Sequence, residues 1–213
     1  MPDAMSLDVH TIHLFIFRWV HFIAGIIWIG HLYFFNFVNV PFLKTLDGPT
    51  KKVVVPQLAP RALFWFRWGA MITFVTGWGY AIWKVFIATD AGLTGTGGLL
   101  TSVWGRWISL GGLLGTIMWF NVWFIIWPAQ KKIIAWTKKG EAPPEMAGLA
   151  RGAYLASRTN TYLSVPLLWC MGAASHFPIF NPLWVGIMIA ASVFITWHLI
   201  EKVSPKAGAN FEG

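Results

Sequence analysis

Long apolar blocks separated by polar stretches dominate the chain, at roughly 12–41, 61–88, 105–128, 158–177 and 180–200. Each meets the about 20 residues that an α-helix needs to cross the hydrocarbon core. The pattern predicts an all-α integral membrane bundle of about five transmembrane helices, forming a single domain over residues 1–213. The connections are of two kinds. Residues 43–60 carry Lys44, Lys51 and Lys52, and 131–158 carry Lys131, Lys132, Lys138, Lys139 and Arg151. By contrast 89–104 are rich in Gly and Thr, with Asp90 and no basic residue, and 177–181 form a short turn. Lys202 and Lys206 follow the last block. Basic and non-basic connections therefore alternate, which puts the N-terminus outside and the C-terminus in the cytoplasm. Lys84 and Arg106 are the basic residues near outer helix ends. A multi-pass protein of a bacterial inner membrane is the expectation. The Gly-Thr-Gly-Gly run at 95–98 reads as a flexible outer loop, lacking the lysine of a phosphate cradle. Residues 1–10 hold Asp3 and Asp8 but no Lys or Arg, so the first block is read as a retained helix rather than a signal peptide.

Composition agrees with this class. Hydrophobic residues make up 56% of the chain and charged residues 11%, against roughly a quarter charged in soluble domains; mean hydropathy is +0.59. The net charge of +8 sits between apolar blocks rather than on a soluble face, so the lipid bilayer and other membrane subunits are the expected partners and nucleic acid is not. Cys170 is the one cysteine, which excludes an internal disulfide and a multi-cysteine metal site within one chain. Of the 15 tryptophans, Trp19, Trp65, Trp68, Trp83, Trp104, Trp107, Trp127, Trp184 and Trp197 fall near block ends, where indoles favour the interface. Gly111 and Gly115 have the spacing that lets a second helix approach closely.

Ionisable groups inside the blocks carry the candidate chemistry, because each costs at least about 2.5–3.5 kcal/mol to insert. No carboxylate lies within the five blocks, which argues against a proton pump or proton-coupled carrier. His10 and His13 stand at the outer entrance of the first helix, where solvation accounts for them. His21 and His31 are about 15 Å apart along that helix. The predicted topology sets His176 in the outer layer with His21, and His198 in the inner layer with His31. Paired histidines on different helices suit axial ligation of a haem iron. Arg18, His21, Gly25, Trp28, Leu32, Asn36 and Asn39 share one stripe of the first helix, and Tyr162, Trp169, Gly172 and His176 share one stripe of the fourth. Gly25 and Gly172 each stand one turn inward of a histidine, leaving room for a ring, and Arg18 suits a haem propionate. His21 and His176 are thus candidate ligands of an outer haem b, with Arg18, Gly25, Gly172, Trp28 and Tyr162 around it. His31 and His198 are candidates for a second haem. Two alternatives stand beside this: histidines packed as a polar seam between helices, and copper held by Cys170, Met171, His176 and Met118.

Four stretches, FRWVHFIAGIIWIG at 17–30, ALFWFRWGAMITFVTGW at 62–78, GTIMWFNVWFIIWPAQKK at 115–132 and SRTNTYLSVPLLWCMGAASHFP at 157–178, together resemble the membrane domain of cytochrome-c-linked urate oxidases. More distantly they are similar to copper-resistance-type membrane proteins. The resemblance carries over to Arg18, His21, Gly25, Trp28, Gly30, Trp65, Trp68, Asn121, Pro128, Arg158, Asn160, Thr161, Tyr162 and His176. It implies a periplasmic cytochrome c as partner. His31 replaces a small residue of that pattern, and no Cys-x-x-Cys-His motif occurs in the sequence. The resulting expectation is a haem-b-binding electron-transfer subunit of a larger respiratory or oxidase complex. A urate- or purine-oxidising enzyme using a separate cytochrome c is the first alternative, and a non-catalytic structural subunit the second. No catalytic residue is assigned.

Overall fold

Asp8 starts the first helix by accepting the Thr11 amide at 2.6 Å, and Asp47 starts the third by accepting the Thr50 amide at 3.1 Å. Both are N-caps that satisfy donors a helix leaves unpaired. Hydrogen bonds from the Thr11 backbone and side chain hold the Asp8 carboxyl below the ordinary aspartate range, and those from the Thr50 side chain and backbone do the same for Asp47. The computed structural model describes residues 8–87 and 95–208, apart from the side chains at 95–97. Its α-helices are α1 (Val9–Tyr33), α2 (Val40–Thr45), α3 (Gly48–Ile82), α4 (Gly95–Thr101), α5 (Val103–Phe120), α6 (Trp127–Lys139), α7 (Glu145–His176) and α8 (Pro182–His198). No strand occurs among the described residues. The fold is all-α, as the pattern of apolar blocks predicts.

π-helical turns fuse several of these helices into continuous rods: Phe34–Asn39, Trp83–Ile87, Asn121–Ile126 and Leu199–Val203. Three of the four precede a proline by two residues: Pro41, Pro128 and Pro205. Proline has no N–H for the carbonyl four residues back and its ring crowds that carbonyl, so the turn before it widens. In each case the residue just before the proline bonds five residues back: Val40 N–H to Phe35 O, Trp127 N–H to Val122 O, and Ser204 N–H to Leu199 O. The rods Val9–Thr45, Gly48–Ile87, Val103–Lys139 and Pro182–Val203 are long and apolar enough to cross a membrane, and mark a multi-pass membrane protein. α7 is the exception. Its 32 residues span about 48 Å, yet it is less apolar than the others, because its buried face is made of Ala153, Ala156, Asn160, Thr161, Ser164, Leu167, Cys170 and Ala173. Small and polar residues like these line helix–helix contacts in membranes.

Helix boundaries extend beyond those of the apolar blocks. The basic stretch 43–60 is not a loop: α3 already starts at Gly48 and runs through Pro56 and Pro60. The stretch 131–158 is helical up to Lys139 and again from Glu145. There Gly140, at φ 75°, takes the left-handed conformation that ends α6. Its N–H donates to Thr137 O and that of Glu141 to Trp136 O, the usual closure of a helix on glycine. Residues 95–98, expected as loop, form the first turn of α4; residues 88–94 lie outside the described set. The backbone hydrogen-bond ladder continues past the apolar residues, while hydropathy reports only the apolar stretch.

α1 packs along α3, and α5 along α7. Trp28, Leu32, Phe66, Ala70, Met118 and Val122 form the buried core where these pairs meet. Buried asparagines lock it: Asn121 Nδ2 donates to Asn160 Oδ1 at 2.8 Å, Asn160 Nδ2 to Met118 O at 2.9 Å, and Asn36 Nδ2 to Leu32 O at 3.0 Å and Ser157 Oγ at 2.9 Å. Asn36 and Asn121 both stand in proline-induced π turns, so the widened turn presents each amide to α7.

Candidate functional site

The seam between the N-terminal half of α1 and the C-terminal half of α3 gathers the histidines that belong to one site. His21 Nδ1 lies 2.9 Å from the Thr73 carbonyl oxygen. A carbonyl only accepts, so Nδ1 carries the proton and Nε2 presents its lone pair. The Thr76 hydroxyl is a longer neighbour at 3.5 Å and is itself committed to Ile72 O. Gly77 makes room for the imidazole: a Cβ there would fall 2.8 Å from His21 Cε1. The expected glycine, Gly25, instead faces Thr73, with 3.9 Å from its would-be Cβ to Thr73 Cγ2. Room for the ring comes from the neighbouring helix, because His21 turns toward α3.

Further along the seam, His13 is sandwiched between Phe17 and Trp83, with ring centroids at 4.2 and 3.8 Å. Its Nε2 is buried and has no hydrogen-bond partner among the described residues. Trp83 Nε1 donates to His10 Nδ1 at 3.2 Å, and Gly79 leaves the space that Phe17 fills. These two histidines are therefore not simply solvated; the end of α3 covers them with an indole. Arg18 donates to the Tyr80 hydroxyl and lies over its ring. Sequence reasoning missed the α3 half of this seam: Thr73 and Gly77 stand one turn apart, as do Gly79 and Trp83, but residues at that spacing name no partner, and only the pairing of α1 with α3 sets them against the histidines.

The other candidate residues lie elsewhere. His176 ends α7 and is exposed, as are Trp169 and Gly172, while Tyr162 is partly buried. That stripe faces away from the bundle, and a Cβ on Gly172 would meet nothing within 4 Å. No hydrogen bond or ring contact among the described residues joins His21 to His176. His31 Nδ1 donates to Ile27 O of its own helix at 2.7 Å, and His198 is exposed, stacked beside Phe194. Trp28 is core. Of the copper set, Cys170 is buried beside Trp107, Ala173 and Met188, Met118 is buried in the main core, and His176 stands on a different, exposed face. Among the described residues no group of three His, Cys, Asp or Glu converges. A cavity of about 200 Å³ opens at the basic end of the bundle, lined by uncharged groups that include Asn36, Asn39, Gln130, Tyr154 and Ser157.

The model of the family described as urate oxidase N-terminal matches residues 99–206, about half of the chain. The chain belongs to the urate oxidase N-terminal family. No curated protein and no solved structure matches it. The family match covers α5, α6, α7 and α8, with the Asn121–Asn160 lock and His176 inside it. The stretches 115–132 and 157–178 lie within it, whereas 17–30 and 62–78, which form the His21 seam, lie outside.

Proposed function

We propose that this member of the urate oxidase N-terminal family is a haem-b-binding electron-transfer subunit of a larger membrane oxidase assembly. The observation that carries the reading is His21. Its Nδ1 is pinned by the Thr73 carbonyl, its Nε2 is left open, and glycine lies under its ring. Ligating histidines have this arrangement, since the second hydrogen bond fixes the tautomer and the ring plane. The residues fit an axial ligand. Haem b, when bound, supplies one-electron chemistry; the chain holds His21 in the ligating tautomer and shields its Nδ1 side from water. His176, exposed and making no hydrogen bond among the described residues, is the candidate for the second ligand, and Arg18 for a propionate. A reduced-minus-oxidised absorption spectrum of the purified protein tests this. A haem b signal is expected, and its absence from protein prepared with haem supplied would leave a structural subunit.

The family name favours a second reading, oxidation of urate or another purine with a separate cytochrome c as acceptor. Urate-dependent reduction of the haem would select it. The topology we propose has α7 as the fourth of five crossings, the α1 end outside and the basic turns in the cytoplasm, in keeping with the lysine bias of the connections. A cysteine replacing Lys138 is expected to react with an impermeant maleimide only in inverted vesicles. Labelling in intact cells would reverse the orientation.

A further inference from the structure

Arg67 is a charge without a counter-charge. It sits on α3 about 22 Å from Ile82 along the helix, and neither Gly48–Ile87 nor Val103–Lys139, the rod packed beside it, contains an acidic residue. Three indoles surround its guanidinium: Trp127 at 3.9 Å from Cζ to ring centroid, Trp123 at 5.3 Å and Trp68 at 5.5 Å. Cation–π attraction offsets part of the cost of a charge in low dielectric. It does not satisfy N–H donors. Arg67 Nε and the adjacent Trp123 Nε1 are buried without a partner among the described residues. The two terminal nitrogens also have no such partner and are not enclosed, so the fork's donors are open to an acceptor from outside the cage. Trp68, one wall of the cage, is itself exposed, and exposed tryptophan rings favour the headgroup layer. Arg61 lies further along α3, and Lys131 stands one turn beyond Trp127.

We propose that the Arg67 cage binds the headgroup phosphate of an anionic phospholipid. A phosphate takes two parallel hydrogen bonds from a guanidinium fork. It supplies the negative charge that the two rods lack, and the indoles cover the glycerol and first methylenes of the lipid. Lys131 adds attraction for a net negative headgroup over a zwitterionic one. The site is independent of the haem reading and of the His21 seam.

Native mass spectrometry of the detergent-purified protein, titrated with phosphatidylglycerol, with phosphatidylcholine of the same acyl chains and with inorganic phosphate, tests the assignment. Retention of phosphatidylglycerol is expected to exceed that of phosphatidylcholine about tenfold. Arg67→Gln should abolish that preference. Arg67→Lys, which keeps the charge and loses the fork, should keep part of it and serves as the folded control. Trp127→Leu, which keeps the charge and opens one wall, should lower it severalfold. An unchanged preference in Arg67→Gln overturns the proposal. Displacement of lipid by inorganic phosphate at equal concentration would show a site for free anions instead. Loss of a co-purifying protein subunit from Arg67→Gln, with lipid retention unaltered, would assign the fork to a partner's carboxylate and likewise overturn it.

Discussion

Replacing His21 by alanine is expected to remove the haem b signal of the purified protein, with the helical content unchanged. The reason is geometric. A macrocycle losing a strong axial ligand binds weakly and shifts its potential, and no other histidine makes a hydrogen bond or ring contact with the Thr73–Gly77 face of α3 among the described residues. Gly77→Val supplies the sharper test, because it leaves every ligand in the sequence. Its Cβ would stand 2.8 Å from His21 Cε1, so the imidazole must swing and release the Thr73 carbonyl. Disturbing the group that orients a ligand typically lowers affinity about 10–100-fold. Both variants are read by haem content per protein after equilibration with limiting haem, and His31→Ala should leave the value unchanged. Were His21 only part of a polar seam, His21→Ala and Gly77→Val would lower the unfolding midpoint while haem content stayed at the wild-type level.

Gly69→Leu is expected to separate α1 from α3 and to cost at least the about 1–3 kcal/mol of an overpacked core position. A Cβ at Gly69 would lie 3.0 Å from the Trp28 backbone nitrogen, 3.1 Å from Ile27 Cγ2 and 3.2 Å from the Ala24 carbonyl oxygen. Two of these atoms are backbone and cannot rotate aside. Retreat of α1 would also pull Trp28, fully buried in the main core, away from Phe66 and Met118. Gly30→Leu is the matched control. It lies on α1, a Cβ there meets nothing within 4 Å, and leucine has the better helix propensity. Mixed-micelle denaturation monitored by circular dichroism should therefore show a large fall in midpoint for Gly69→Leu and none for Gly30→Leu. Equal midpoints would mean that the close approach of α1 and α3 contributes little to stability.

The cores of the apolar helices were legible because a segment surrounded by lipid must satisfy its backbone internally and present apolar side chains all round. Composition and block length therefore mark four rods long and apolar enough to cross a membrane. The same rule accounts for α7. α7 is sheltered by α5, α6 and α8, so selection for transfer into lipid is relaxed and its sequence carries Asn160, Thr161 and Ser164. The prolines at 41, 128 and 205 are plain in the sequence. That each widens the preceding turn, and that two of these turns aim Asn36 and Asn121 at α7, depends on how the rods lie together.

Facing is the property that only tertiary structure decided. Spacing along α7 groups Tyr162, Trp169, Gly172 and His176 on one stripe, and that grouping is correct as helix geometry. Which way the stripe points does not follow, because in a bilayer the solvent outside the bundle is itself apolar. Large aromatic side chains lose nothing by facing lipid, while small residues let helices approach within contact distance. The bundle accordingly buries Ala153, Ala156 and Ser164 and turns Trp169 outward. On α1 the same contest had the opposite result for His21, since α3 offers a glycine and a carbonyl at its level. The sequence by itself determined an all-α membrane protein, its apolar rods and its family. The pairing of α1 with α3, which sets His21 against Thr73 and Gly77, and that of α3 with the rod Val103–Lys139, which cages Arg67, exist only in the folded bundle, because neither residue has its partners on its own helix alone.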